Sequence, residues 1–148
     1  MTDRAKTRSA ARLAAVQALY QREMENTPLP LLLNEFHQHR LGATIEDVTY
    51  VHAEVSFFDD IVKGVDARRD EIDGHIVARL AKGWTLERLD KPMRQILRAG
   101  TYELLARLDV STGTVISEYV DVAHAFYDQR EAGFVNGLLD AIGKAVRS

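Results

Sequence analysis

The stretch 131–146, EAGFVNGLLDAIGKAV, sets an aromatic ring, an amide and a glycine around Val135 in a helical pattern. Glycine costs a helix interior about 1 kcal/mol relative to alanine, so its presence needs a reason. On a wheel of 100° per residue, the apolar stripe Val135–Leu138–Leu139–Ile142–Val146 centres near Val135. Phe134 then falls roughly 95° to one side, Asn136 roughly 105° to the other, and Gly137 roughly 155° away on the outer face. Gly137 therefore serves no core; a bare backbone there allows close approach by another segment or a ligand. The pattern places Phe134 in the first turn, beside the free N–H groups and positive end of the helix. There an aromatic can stack a base while the helix end holds a phosphate. A ring at the boundary of the core is the other reading, and the wheel leaves both open.

A second group with chemistry is the N-terminal segment. Residues 1–12 hold Arg4, Lys6, Arg8 and Arg12 against Asp3, a net of +3, which leaves −6 on the remainder of a chain of net charge −3. A basic arm on an acidic body suits a polyanion, or is simply a solvated tail. Enzyme chemistry fares worse. His37 and His39 are two apart and cannot share a helix face as metal ligands do at i, i+4. His52, His75 and His124 are isolated. GLLDAIGK has five residues between its glycines where a phosphate loop needs four, and Ala145 stands where Ser or Thr would bind magnesium. Adjacent Asp59 and Asp60 point about 100° apart on a helix and form no catalytic pair. The absence of cysteine removes disulfides, thiol nucleophiles and zinc knuckles. No enzyme activity, metal or cofactor is expected.

These residues must be positioned by helices. Leu13, Val16, Tyr20 and Met24 mark a first helix, and Leu31, Leu32 and Phe36 a second that ends near Gly42. Thr44 with Asp47 reads as a capping-box variant opening a third. Its stripe runs Val48, Val51, Val55, Phe58, Val62, Val65, then Ile72, Ile76 and Leu80, with a bend or break near Gly74. Trp84 is expected as a packing anchor in the next connection. Asp90 caps a fourth helix with Pro92 in its first turn and a buried side of Met93, Ile96, Leu97, Leu104 and Leu108. Ile116, Tyr119, Val120, Ala123 and Tyr127 define a fifth, and Asp128 with Glu131 boxes the sixth. No segment alternates as a strand does. The expectation is one compact all-α bundle of about six to seven helices over 1–148, with 1–7 a flexible basic arm. No apolar run approaches the roughly 18 residues of a membrane span, and no signal-type segment opens the chain; both suit a cytoplasmic protein.

Five motifs in order, ARLAAVQALYQ, FFDDIVKGV, LRAGTYELL, ISEYVDVAHAF and FVNGLLD, resemble the NusB family of transcription antitermination factors from about Arg8 to Val146. The resemblance implies two three-helix subdomains. It implies binding of single-stranded boxA RNA in ribosomal RNA leader transcripts. It also implies a heterodimer with the small ribosomal protein NusE, and recruitment to the elongating RNA polymerase. By the same resemblance the RNA surface takes in Arg4, Lys6, Arg8 and Arg12, with Phe126 at the end of the fifth helix and Phe134. This arm is thinner than the consecutive arginines of some members, since Ser9 and Ala10 follow Arg8. Gly133 stands where other members carry a basic residue just before FVNG, and Arg130, one turn away, is the substitute cation.

Residues 46–73 hold nine acidic and three basic residues, a surface that phosphate avoids and a basic ribosomal protein does not. Asp59, Asp60 and Asp66 are the partner-facing candidates, against a plain solvated face. Two further readings stay open. One is a fragment of a ribosomal RNA cytosine methyltransferase, whose helper domain this family supplies. The other is a protein-interaction module or homodimeric storage form without an RNA role.

Overall fold

The structure is a computed structural model that describes residues 3–39, 44–45, 48–49 and 54–147. Seven α-helices lie among them: α1 (Asp3–Glu25), α2 (Leu29–His39), α3 (Val55–Ala67), α4 (Arg69–Val77), α5 (Lys91–Ala106), α6 (Thr112–Phe126) and α7 (Gln129–Val146). A 3-10 turn at Leu86–Arg88 precedes α5. The chain divides into two compact units, residues 1–63 and 64–148.

In the first unit an alanine-rich face of α1 (Ala11, Ala14, Ala15, Val16, Ala18 and Leu19) is buried, with Leu32, Leu33 and Phe36 of α2 and Phe57, Phe58, Ile61 and Val62 of α3. Small side chains bring helices close, and the large rings fill what remains. Phe36 and Phe58 stack with centroids 5.6 Å apart. This core corrects the expected stripe. Tyr20 and Met24 are exposed, because the alanines of α1, not its larger apolar residues, face inward; Leu31 of α2 and Val55 of α3 are exposed as well. Asn26 ends α1 with φ 54°, a left-handed cap that asparagine tolerates. Residues 3–7, part of the expected basic arm, are helical and open α1.

Thr44 does not cap a helix. Thr44–Ile45 pairs antiparallel with Val48–Thr49, so one minimal hairpin stands where no strand was expected. Four β-branched residues at these positions favour extended backbone over helix. Gly42, Asp47 and Val51, part of the expected cap and stripe, lie outside the described residues.

In the second unit α5, α6 and α7 pack on one another, and α5 is buried continuously from Gln95 to Leu104. Two of its buried polar residues are paired inside: Tyr119 Oη donates to Glu103 Oε2 at 2.5 Å, and Arg98 forks onto Asp73 at 2.8 and 3.0 Å. Ser111 caps α6, its Oγ accepting from the Thr114 N–H at 3.2 Å. The helix break falls at Arg68, not at Gly74. Asp70 and Glu71 sit in the first turn of α4, where they suit its positive end, and the Arg68 guanidinium forks onto Glu71. That ion pair holds the exposed Glu71 carboxyl below its ordinary range.

In the second unit, two further residues expected in the core prove exposed. Trp84 is 49 % exposed and carries the Arg88 guanidinium 5.2 Å from its ring centre. Leu108 is 74 % exposed, because α5 ends two residues before it.

Candidate nucleic-acid interface

In the second unit the turn from α6 to α7 consists of Tyr127 and Asp128, both extended. Extended backbone at this point ends α6 on Phe126 and lets α7 start at Gln129. Phe126 and Phe134 are each 40 % exposed, which for rings of this size is a large apolar face left in water. The Phe126 and Tyr127 rings lie 6.3 Å apart, tilted by 45°. His124, Phe126, Tyr127, Asp128 and Glu131 line an open recess of about 320 Å³. Burial, with the Asp90 carboxylate beside it, pushes the Tyr127 phenol well above its ordinary range, so it stays protonated.

The wheel reading of α7 holds in its main points. Val135, Leu138, Leu139 and Ile142 are buried, while Phe134, Asn136 and Gly137 are exposed. A Cβ on Gly137 or Gly133 would meet nothing within 4 Å, so this face of α7 is bare backbone. One point is corrected. α7 begins at Gln129, so Phe134 lies in the second turn and its N–H belongs to the helical ladder. The free N–H groups are further back, where Asp128 and Glu131 already supply negative charge and oppose a phosphate. Arg130, the expected cation, lies in this first turn. It is exposed, forms no ion pair among the described residues, and stands four residues before Phe134 on the same face. An exposed ring with a cation one turn away can stack a base and meet its phosphate.

The basic segment belongs to the first unit. Arg4, Arg8 and Arg12 repeat every four residues along one side of α1, and Lys6 is exposed on another. The Arg4 side chain lies outside the described residues. Arg8 Nε donates to Glu54 Oε2 at 3.1 Å, and the Glu54 N–H donates to the Thr7 carbonyl at 3.1 Å. Arg12 is only 2 % exposed. The Arg8 and Arg12 guanidinium groups lie 4.4 and 4.8 Å from the centre of the Phe57 ring. Neither Glu54 nor Phe57 stood out in the sequence. The available signal was the doublet Phe57–Phe58, of which one ring stacks in the core and the other faces cations.

Of the acidic candidates, Asp59 accepts His37 Nε2 at 2.6 Å, Asp60 is half-buried, and Asp66 is exposed. No cluster of three His, Cys, Asp or Glu able to hold a metal occurs among the described residues. No helix among them is long and apolar enough to cross a membrane.

The model of the NusB family matches residues 9–144. A transcription antitermination protein NusB from Novosphingobium aromaticivorans is 75 % identical over 142 residues, covering 96 % of each chain. One from Sphingopyxis alaskensis is 72 % identical over 147 residues, covering 99 % of each. Among solved structures, one of antitermination factors NusB and NusE in complex with double-stranded RNA matches with a TM-score of 0.75 at 26 % identity, covering 94 % of this chain and 97 % of that one.

Proposed function

The chain belongs to the NusB family, and from that premise we propose that it is a transcription antitermination factor that binds boxA-type RNA of ribosomal leader transcripts together with NusE. In this reading residues 1–148 work as one RNA-binding domain in the cytoplasm, and the complex joins the elongating RNA polymerase. The chain acts by binding alone, without catalysis or cofactor. The observation that carries the reading is the exposure of two rings on the helices that meet at this turn, Phe126 ending α6 and Phe134 in the second turn of α7, with exposed Arg130 four residues before Phe134. The relative solved with NusE and double-stranded RNA supports both partners. Asp59, Asp60 and Asp66 are the proposed partner-facing residues, with Asp66 the most accessible.

Titrating labelled boxA-like RNA with and without NusE, at several salt concentrations, tests this. Three or four phosphate contacts predict a slope near −0.7 per contact, so log affinity falls by about 2–3 per decade of salt. NusE should tighten binding across that range. Equal affinity with and without it would remove the heterodimer from the reading. A chain that binds no RNA and runs as a dimer would instead be an interaction module.

Phe134→Ala separates stacking from packing. A ring this exposed adds modestly to the fold, so the melting temperature should move little. Loss of a stacked base should weaken RNA binding by roughly 1–3 kcal/mol. A buried ring would show the reverse, about 3–5 kcal/mol of stability lost. A strongly destabilised variant with unchanged affinity would move the RNA surface elsewhere.

A further inference from the structure

The connection between α4 and α5 is pinned by two leucines. Leu86 and Leu89 are buried, which leaves Trp84, Glu87 and Arg88 facing outward. Gly83 enters the turn with φ 90°, a left-handed backbone that glycine adopts freely. The Trp84 N–H donates to the Ala81 carbonyl at 3.0 Å, and the Arg88 N–H to the Thr85 carbonyl at 3.1 Å. Arg88 Nη1 donates to the Gly83 carbonyl at 2.8 Å, with its guanidinium over the indole, 5.2 Å from the ring centre. The ring is thus held in place yet left half in water, 49 % exposed. Exposed apolar area of that size gives the fold little.

Charge and position point to a ligand. Residues 79–88 hold Arg79, Lys82 and Arg88 against Glu87, a net of +2 on a chain of net charge −3. Lys82 and Arg88 are both exposed. Like charge disfavours a basic protein here and favours a polyanion. The turn also leads into Asp90, whose carboxylate lies beside the Tyr127 phenol, and Tyr127 and Phe126 line the recess described above. Trp84 is six residues from Asp90, a length of chain that spans no more than roughly 20 Å. One bound strand can therefore reach both the indole and the recess.

We propose that Trp84, with Arg88, is a second stacking platform for single-stranded RNA, taking a base that flanks the segment held at Phe126 and Phe134. The proposal rests on reading this chain as RNA-binding. A base stacks on the exposed indole, a contact that tolerates any base because each has a π-face. Arg88 spends one N–H on the Gly83 carbonyl and keeps others for a phosphate. A ring fixed before binding gives up little rotamer freedom when the base arrives.

Trp84 is the single tryptophan of the chain, so its own fluorescence reports the contact. Unlabelled boxA-like RNA with several extra nucleotides at each end is titrated into the chain alone, and stacking should quench the emission. Affinity for the same RNA, labelled, is measured by anisotropy with and without NusE. Trp84→Ala should weaken it about five- to tenfold, and Trp84→Tyr, which keeps a ring, should recover most of that loss. Arg88→Gln should shrink the salt slope by about 0.7 as one phosphate contact is lost. Unchanged emission while RNA binds overturns the proposal, and this titration decides even where Trp84→Ala fails to fold. A Trp84→Ala chain that loses NusE but keeps its own RNA affinity also overturns it, and makes the indole a protein-docking anchor. If Trp84→Ala binds RNA normally while Phe134→Ala does not, the proposal fails and the RNA reading stands. If the unaltered chain binds no RNA with or without NusE, both fail.

Discussion

Replacing Arg147 by alanine is expected to destabilise the second unit by roughly 3–4 kcal/mol, a drop of about 10 °C in melting temperature. The penultimate residue uses all five of its N–H donors. Nε donates to the Leu104 carbonyl at 2.8 Å. Nη1 donates to the Val110 carbonyl at 2.8 Å and to Thr112 Oγ1 at 3.2 Å. Nη2 donates to the carbonyls of Glu103 at 3.1 Å and Arg107 at 2.9 Å. These carbonyls lie at the end of α5 and in the turn into α6; those of Glu103 and Arg107 also accept the backbone N–H groups of Arg107 and Val110. A positive charge at that end also suits the helix dipole. Alanine would take this donor from the Leu104 and Val110 carbonyls and from Thr112 Oγ1, while the Glu103 and Arg107 carbonyls keep a backbone N–H, and small voids admit water poorly. Arg147→Lys gives the sharper comparison. Lysine keeps the charge but offers three donors from a single point, where the planar fork reaches both sides of the turn. It should recover less than half of the loss. Thermal unfolding of the two variants decides: a change under 2–3 °C for alanine would mean that water replaces the clamp, since each kcal/mol is worth about that much in a chain of this size.

Arg147 was invisible in the sequence, and the reason is general. Periodicity reports which side of a helix is apolar, so α7 and most of α5 were legible: Val135, Leu138, Leu139, Ile142, Met93, Ile96, Leu97 and Leu104 are buried as their spacing requires. It says nothing about contacts between residues 35–44 positions apart, which is the separation of Arg147 from its acceptors. In α1 the stripe was misphased because alanine is a weak hydrophobic signal, yet helix-to-helix approach selects it. Thr44 and its neighbours satisfied a helix-start pattern and a β-branched hairpin equally well, and pairing with Val48–Thr49 decided between them.

The site was legible in the same uneven way. Gly137 and Phe134 fell where the wheel put them, since both depend only on the helix they occupy. The place of Phe134 along that helix was misjudged, because a boundary read from side-chain types is uncertain by a few residues. Arg12 looked like solvent-facing charge, and its burial depends on Phe57, forty-five residues away. A cation and a ring that meet across two helices leave no local pattern.

Glycine gives two opposite expected results for one substitution. Gly137→Ala should stabilise the helix by roughly 1 kcal/mol, because a Cβ there meets nothing within 4 Å. Gly64→Ala should instead cost about 3 kcal/mol or more, net of that same gain. A Cβ on Gly64, in α3, would lie 2.2 Å from Cε1 and Cζ of Tyr102 and 2.6 Å from its hydroxyl oxygen. Atoms cannot share that space, so the ring or the helix must move. Tyr102 is 6 % exposed within the continuously buried stretch of α5, where close packing leaves a ring little room to retreat. Tyr102→Phe cannot relieve the clash, because the nearest atoms belong to the ring itself. Truncating the ring can. The double variant of Gly64→Ala with Tyr102→Ala should therefore be more stable than the two single losses added together, by about 2 kcal/mol. Denaturant unfolding of the three variants measures that coupling. Losses that simply add, within about 0.5 kcal/mol, would mean that Gly64 is kept for some reason other than the face of Tyr102.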